Sequence, residues 1–210
     1  MTRLHLFDLD GTLIHGSAAA VEISRQLGVE PEIAELERAF ADGQLSTAQF
    51  AQRACALWGE LTERHVAAAF EGAPWLVGIR EVWADIRGRG ERCAVISISP
   101  GFFVERLLEW GADAARGSRW PAVPFREPVE PEGILTPAAK VRIADELCAT
   151  FGLSREDCVA YGDSMSDAEL FAVVPVSIAV NADHHVSEIA SCGYTGRDLR
   201  EAYELAGNYR

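Results

Sequence analysis

LHLFDLDGTL, residues 4–13, decides the architecture: an apolar run breaks at Asp8 into Asp8-Leu9-Asp10-Gly11-Thr12, so a buried strand ends in a polar, glycine-bearing loop. The same grammar recurs downstream. Residues 93–98 form a continuous apolar run that ends in Ser99-Pro100-Gly101, and residues 158–161 form another that ends in Gly162-Asp163-Ser164. Residues 176–180 make a further β-rich run. Helical patterns lie between these runs: one carries Val82, Trp83 and Ile86 and closes at residues 88–90, one spans 101–110 and stops at Gly111, one spans 140–151 before Gly152, and one spans 167–173. Residues 118–135 hold Pro121, Pro124, Pro128 and Pro131 and read as an extended loop or hairpin. Strands alternating with helices predict an α/β fold, a Rossmann-like parallel sheet with helices on both faces and ligands beyond the carboxyl ends of the strands.

Residues 17–70 interrupt that alternation with helical signals alone. SAAAVEISRQLG closes on Gly28, Pro31 opens the next helix, and Ser46 with Gln49 forms a capping-box pattern. The expectation is a helical cap over residues 15–74 inserted into a core made of residues 1–14 and 75–210, and 210 residues suffice for both.

Charge and composition narrow the function classes. A formal net charge of −13 argues against nucleic acid as a partner, because such binding needs clustered Lys and Arg. No stretch approaches the roughly 20 apolar residues that span a bilayer, and the first residues lack the pattern of a signal peptide, so the expected location is the cytoplasm, without membrane partners. Five scattered cysteines, with no C-x-x-C spacing, read as reduced and mostly buried thiols. His184 and His185 read as a solvated helix start, since no third metal ligand accompanies them. Gly88-Arg89-Gly90 precedes its strand and is no dinucleotide loop.

Each polar strand end taken alone is an ordinary turn. Together they bring Asp8, Asp10, Asp163 and Asp167 toward one crevice, where so many carboxylates cannot all stay ionised without a compensating cation. An all-oxygen donor set with room for water and phosphate oxygens favours Mg²⁺.

LFDLDGTL, the strand entering SPGF, Lys140 and YGDSMSD resemble, in order, the four motifs of the haloacid dehalogenase superfamily. The helical insert directly after the first motif is most similar to the phosphoserine-phosphatase-like branch with a small helical cap. The resemblance implies that Asp8 attacks phosphorus to form an aspartyl phosphate, a step that suits a carboxylate ionised at neutral pH. It implies that Asp10 protonates the leaving group and later activates water, with its backbone carbonyl facing the metal. Gly11 and Thr12 shape the loop, Ser99 and the Gly101 amide bind phosphoryl oxygens, Lys140 neutralises charge, and Asp163 ligates Mg²⁺ with Asp167 beside it. Ser97 competes with Ser99 for the second motif, and Pro100-Gly101-Phe102 favours Ser99. A non-enzymatic module on this fold predicts a missing motif residue, and none is missing; dehalogenation predicts no acid/base aspartate where Asp10 stands.

The implied activity is hydrolysis of a small phosphorylated metabolite. The alternatives are a phosphotransferase or mutase that hands the phosphoryl group to a hydroxyl, and phosphoserine phosphatase itself. Phosphoserine phosphatases of the branch carry a Glu shortly after the first motif and an Arg in the cap to grip the amino acid. Here Ser17 or Ala18 stands in place of the Glu, and Ala54 in place of the Arg, with Arg53 adjacent. A substrate other than L-phosphoserine is therefore expected. His15, Ser17, Phe40, Arg53 and Trp58 are the cap residues that could shape a different pocket, although core packing is the simpler role for the aromatics.

Overall fold

In the computed structural model, which describes residues 2–209, six strands form one sheet. They are β1 (Leu4–Phe7), β2 (Arg92–Pro100), β3 (Ala114–Ser118), β4 (Cys158–Gly162), β5 (Val176–Val180) and β6 (Cys192–Tyr194). The spatial order is β3-β2-β1-β4-β5-β6, and every pairing is parallel. The order reverses at β1, between β2 and β4, so the crevice outside its carboxyl end is where such a sheet binds ligands.

Among the described residues, ten α-helices accompany the strands: α1 (Ala19–Leu27), α2 (Glu30–Ala41), α3 (Thr47–Leu57), α4 (Glu63–Gly72), α5 (Ile79–Gly88), α6 (Gly101–Val104), α7 (Ala139–Phe151), α8 (Ala168–Phe171), α9 (His184–Ile189) and α10 (Leu199–Gly207). The two-residue period of the strands sends side chains to two separate cores. Phe7, Val95, Val159, Tyr161 and Ile178 pack with Val82, Trp83 and Ile86 of α5 and with Leu199 and Ala202 of α10. Leu4, Leu6, Ala94, Ile96 and Ala160 pack with Ile143 and Leu147 of α7, Leu170 of α8 and Val186 of α9. Both faces are therefore covered, as the near-continuous apolar strands require.

Helices α1 to α4 fill the stretch between β1 and α5 and contain no strand; α1 packs on α2 and α4, and α2 packs on α3. The capping box at α3 forms as its sequence dictates: Ser46 Oγ accepts from the Gln49 amide, and Gln49 Oε1 accepts from the Ser46 amide. Trp58 is fully buried, donates from Nε1 to Ser24 Oγ at 2.9 Å and stacks on Trp120, so it is a packing residue.

Several expectations need correction. Strands β3 and β6 are the two sheet edges, and neither AARGS nor CGY carries an apolar run that would reveal it. Residues 101–110 are not one α-helix: α6 gives way to a 3₁₀ helix over Glu105–Trp110 that stops at Gly111. The helix expected at 167–173 starts as a 3₁₀ turn, Met165–Asp167, and continues as α8. Residues 119–138 form a loop with one 3₁₀ turn, Pro131–Gly133, and no hairpin; Val129 and Ile134 pack against Ala51 of α3. The five cysteines are free thiols, of which Cys93, Cys148 and Cys158 are buried. His184 and His185 are exposed at the start of α9, capped by Asp183. Among the described residues, no helix is long and apolar enough to cross a membrane.

Candidate active site

Three adjacent strands deliver the polar residues to one edge. Asp8 follows β1, Ser99 is the penultimate residue of β2, and Asp163 follows β4. Asp8 is locked in place by its amide, which donates to the Tyr161 carbonyl of β4 at 2.9 Å. The chain then turns at Gly11, whose φ of 73° suits glycine, and a Cβ there would sit 2.1 Å from Asp163 Oδ2. Thr12, fully buried, donates from Oγ1 to Asp163 Oδ1 at 3.1 Å and so ties the first loop to the third.

Asp8, Asp163 and Asp167 bring one carboxylate oxygen each to within 4.8 Å of one another. Lys140, from the first turn of α7, is buried among them: Nζ lies 3.0 Å from Asp8 Oδ1, 2.6 Å from Asp167 Oδ1 and 3.2 Å from Ser166 Oγ. The second Asp167 oxygen accepts from the Asp163 and Ser164 amides at 3.2 and 3.3 Å, which pins that side chain under the loop.

Asp10 behaves differently from the other three. Its Oδ1 accepts from the Ala19 amide at 2.7 Å, at the start of α1, and its Oδ2 accepts from Ser99 Oγ at 2.5 Å. These bonds turn its carboxylate away from the acidic cluster, so three carboxylates converge where the sequence suggested up to four. Ser97, also in β2, accepts from the Ser99 amide at 3.1 Å, and its hydroxyl helps to draw the Asp10 carboxyl back down. Gly117 of β3 explains how the Ser99-Pro100-Gly101 turn fits: a Cβ on it would lie 2.7 Å from the Ser99 carbonyl oxygen and 2.8 Å from Gly101 Cα.

The electrostatics follow from burial. Desolvation, then the Asp167 charge, push Asp8 well above the usual carboxylate range, with Lys140 acting in the opposite sense. Desolvation and Asp167 also raise Asp163, to about 7, against the stabilising bond from Thr12. Burial alone would lower the Lys140 ammonium, but Asp8 and Asp167 beside it raise it. Asp10 is raised by burial and drawn back by its bonds from Ser99 and Ala19. The expectation that Asp8 has an ordinary carboxylate pKa therefore does not hold for the metal-free crevice. One lysine among three close carboxylates leaves negative charge uncompensated, and an all-oxygen set of this spacing fits a hard divalent cation such as Mg²⁺.

The expected substrate-shaping residues fare less uniformly. Ser17 donates to Glu22 Oε1 at 2.5 Å, and Glu22 is buried and paired with Arg25 at 2.6 Å. His15 Nδ1 lies 3.3 Å from Asn181 Nδ2, a contact to the core. Arg53 is exposed on α3 without a hydrogen bond or ion pair among the described residues, Ala54 is fully buried, and Phe40 is at the surface beside Phe50. Sequence reasoning missed Ser166, the Ala19 amide and Glu37 of α2, which burial and the Asp10 charge raise to about 7. A serine inside GDSMSD was a visible signal for the first; the other two depend on how the helices fold back over the crevice.

A buried lysine among carboxylates, set at the carboxyl edge of a parallel sheet beside its switch point, defines an enzyme built for phosphoryl groups. The chain belongs to the haloacid dehalogenase-like hydrolase family, whose model matches residues 5–172, and it is a phosphatase of that family. It is similar to the phosphoserine phosphatase of Methanocaldococcus jannaschii, 29% identical over 95% of both chains. It is also similar to phosphoserine phosphatase SerB2 of Mycobacterium tuberculosis, 27% identical over 98% of this chain and 50% of that one. Among solved structures, a substrate-bound phosphoserine phosphatase complex superposes with a TM-score of 0.82 at 26% identity, covering 98% of each chain. A phospho-aspartyl intermediate analogue of phosphoserine phosphatase gives 0.81 at 27% identity, covering 97% of this chain and 98% of that one.

Proposed function

We propose that this protein is a Mg²⁺-dependent phosphomonoester hydrolase that acts on a small phosphorylated metabolite through an aspartyl phosphate on Asp8. The observation that carries the reading is the Asp8 carboxylate at the tip of β1, 3.0 Å from the buried Lys140 ammonium and grouped with Asp163 and Asp167. Asp8, Asp163 and Asp167, with the Asp10 backbone carbonyl, would hold the Mg²⁺, which offsets the charge of the carboxylates and of the phosphoryl oxygens.

In this reading an Asp8 oxygen attacks phosphorus, the ester P–O bond breaks, and the departing alkoxide takes its proton from Asp10. Water then attacks the acyl phosphate and gives a proton to Asp10, and the Asp8–phosphorus bond breaks to release inorganic phosphate. The raised pKa of Asp10 suits a group that must arrive protonated, and Ser99 and Ala19 hold it in one orientation. Lys140 steadies Asp8 and the incoming phosphoryl charge. Ser99 and the Gly101 amide would meet the phosphoryl oxygens, whereas the Gly11 amide donates to the Ser17 carbonyl at 3.0 Å and Thr12 Oγ1 to Asp163, so these two residues shape the loop instead of touching phosphate.

L-Phosphoserine is proposed to be a poor substrate. Ser17 offers no acid and is engaged with Glu22, while Ala54 is buried and Arg53 is turned to solvent. The likeness to named phosphoserine phosphatases over nearly the whole chain favours the second reading, that L-phosphoserine is the substrate. Phosphate release from a broad panel of phosphorylated metabolites with Mg²⁺ present separates the two. If kcat/KM for L-phosphoserine exceeds that for every other ester, the second reading stands.

A further inference from the structure

We propose that Cys148 and Cys158 form a peroxide-reactive dithiol, which hydrogen peroxide converts into an intramolecular disulfide that clamps α7 to β4. Cys148 lies in the last turn of α7 and Cys158 opens β4, and their Sγ atoms are 3.4 Å apart. Cys93, the third buried thiol, faces the Gly111 carbonyl and Asp113 instead. The segments that carry the pair are braced independently of the sulfurs. Arg155, in the turn before β4, donates from Nε and Nη2 to Asp145 of α7 at 2.6 and 2.7 Å, and the Leu153 amide donates to the Cys148 carbonyl at 2.8 Å. The thiols are therefore already side by side, and bonding them requires an approach of about 1.4 Å.

Both thiols are buried, but their cover is thin: Ala149, Thr150, Gly152 and residues 154–156 of the connection between them are exposed. Hydrogen peroxide is small enough to pass where a bulky disulfide reagent is not. The Cys148 thiol, the less buried of the two at 4% against 1%, loses its proton and attacks one peroxide oxygen. The O–O bond breaks, leaving a sulfenic acid on Cys148 and a hydroxide that takes up the proton as water. The Cys158 thiolate then attacks the Cys148 sulfur, the S–O bond breaks, and a second water leaves with the Cys158 proton. Two thiols lose two electrons and two protons, and one peroxide becomes two waters. Burial, with Asp145 and Asp157 nearby, pushes both thiols above their ordinary value, while Arg155 acts in the opposite sense on Cys148. The reaction is therefore slow at neutral pH and quickens as pH rises. Lys140 is eight residues back along α7, about 12 Å away, and Asp163 follows the far end of β4, so the clamp joins the elements that carry them without touching either.

The test treats the reduced wild-type protein with hydrogen peroxide at pH 7 and pH 8.5, quenches with catalase, alkylates remaining thiols in denaturant and maps the tryptic peptides. Trypsin cuts after Arg155, between the two cysteines, so the disulfide is read as a pair of linked peptides that separates on reduction. The expected result is that linked pair, formed faster at pH 8.5. A cross-link closing so short a loop should raise Tm by about 5–10 °C, and dithiothreitol should reverse the rise. Cys158→Ala, treated in parallel, should show neither the link nor a reducible rise in Tm. Recovery of Cys148 and Cys158 as alkylated thiols at both pH values would overturn the inference. So would oxygen added to either without the link, a link from either to a different cysteine, or a linked protein whose Tm is unchanged or lower.

Discussion

The Lys140 ammonium, carried by α7, lies 3.0 Å from Asp8 Oδ1 at the end of β1, and both side chains are almost fully withdrawn from solvent. The lysine is what allows Asp8 and Asp167 to share one buried volume. Removing one partner of a buried ion pair leaves charge uncompensated and costs about 3–5 kcal/mol. Lys140→Met is therefore expected to lose stability of that order in urea unfolding of the metal-free protein at pH 7.5. The deficit should shrink at pH 5.5, because Asp8, already held above its ordinary value, takes up a proton once the cation is gone.

Stability of the metal-free protein should rise as pH falls from about 7. Asp163 and Glu37 each stand at about 7 in the folded chain, against ordinary values of 3.8 and 4.5. Between those limits the folded state holds protons that the unfolded state has released, so unfolding sheds protons and stability declines with rising pH. Saturating Mg²⁺ replaces the proton on the acidic cluster and should flatten or reverse that slope between pH 5.5 and 8. Denaturant titrations with chelator and with Mg²⁺ at the two pH values measure both.

Gly11→Ala should act mainly on metal affinity. Its Cβ would collide with Asp163 while the backbone is held at positive φ, so Asp163 must shift and the Thr12 bond loosens. Disturbing a supporting contact of a metal ligand typically costs about 10–100-fold in affinity. The concentration of Mg²⁺ giving half-maximal phosphate release should rise by that factor, with activity recovered at high Mg²⁺.

Asp10→Asn should separate leaving groups. Loss of general acid/base help is worth roughly 10²–10⁴-fold on an alkyl ester, and much less on an aryl phosphate, whose departing oxygen needs no proton. Rates for the two ester types in wild type and variant give that comparison directly.

The central strands were legible because β1, β4, β5 and most of β2 are buried on both faces and so are predominantly apolar. The edge strands were not, because an edge bonds on one side only and AARGS and CGY can be small or polar there. Asp8, Asp163 and Lys140 could be placed from the order of their motifs, since each sits within a residue or two of an element boundary. The orientation of Asp10 could not: it is set by the Ala19 amide, a backbone group that carries no residue signature. Glu37 was hidden for another reason. Glu32, Glu35 and Glu37 look alike in sequence, and the packing of α2 alone turns Glu37 inward while the other two remain exposed.

The central claim is covalent attachment of phosphate to Asp8. Its most direct test is acid-quenched intact-mass measurement of Asp10→Asn mixed with an aryl phosphate and Mg²⁺, followed by peptide mapping. The account predicts a species heavier by one phosphoryl group, mapped to the peptide that holds Asp8 and absent when Asp8→Asn is added. A phosphoryl group on another residue, or full turnover by Asp8→Asn, would contradict it.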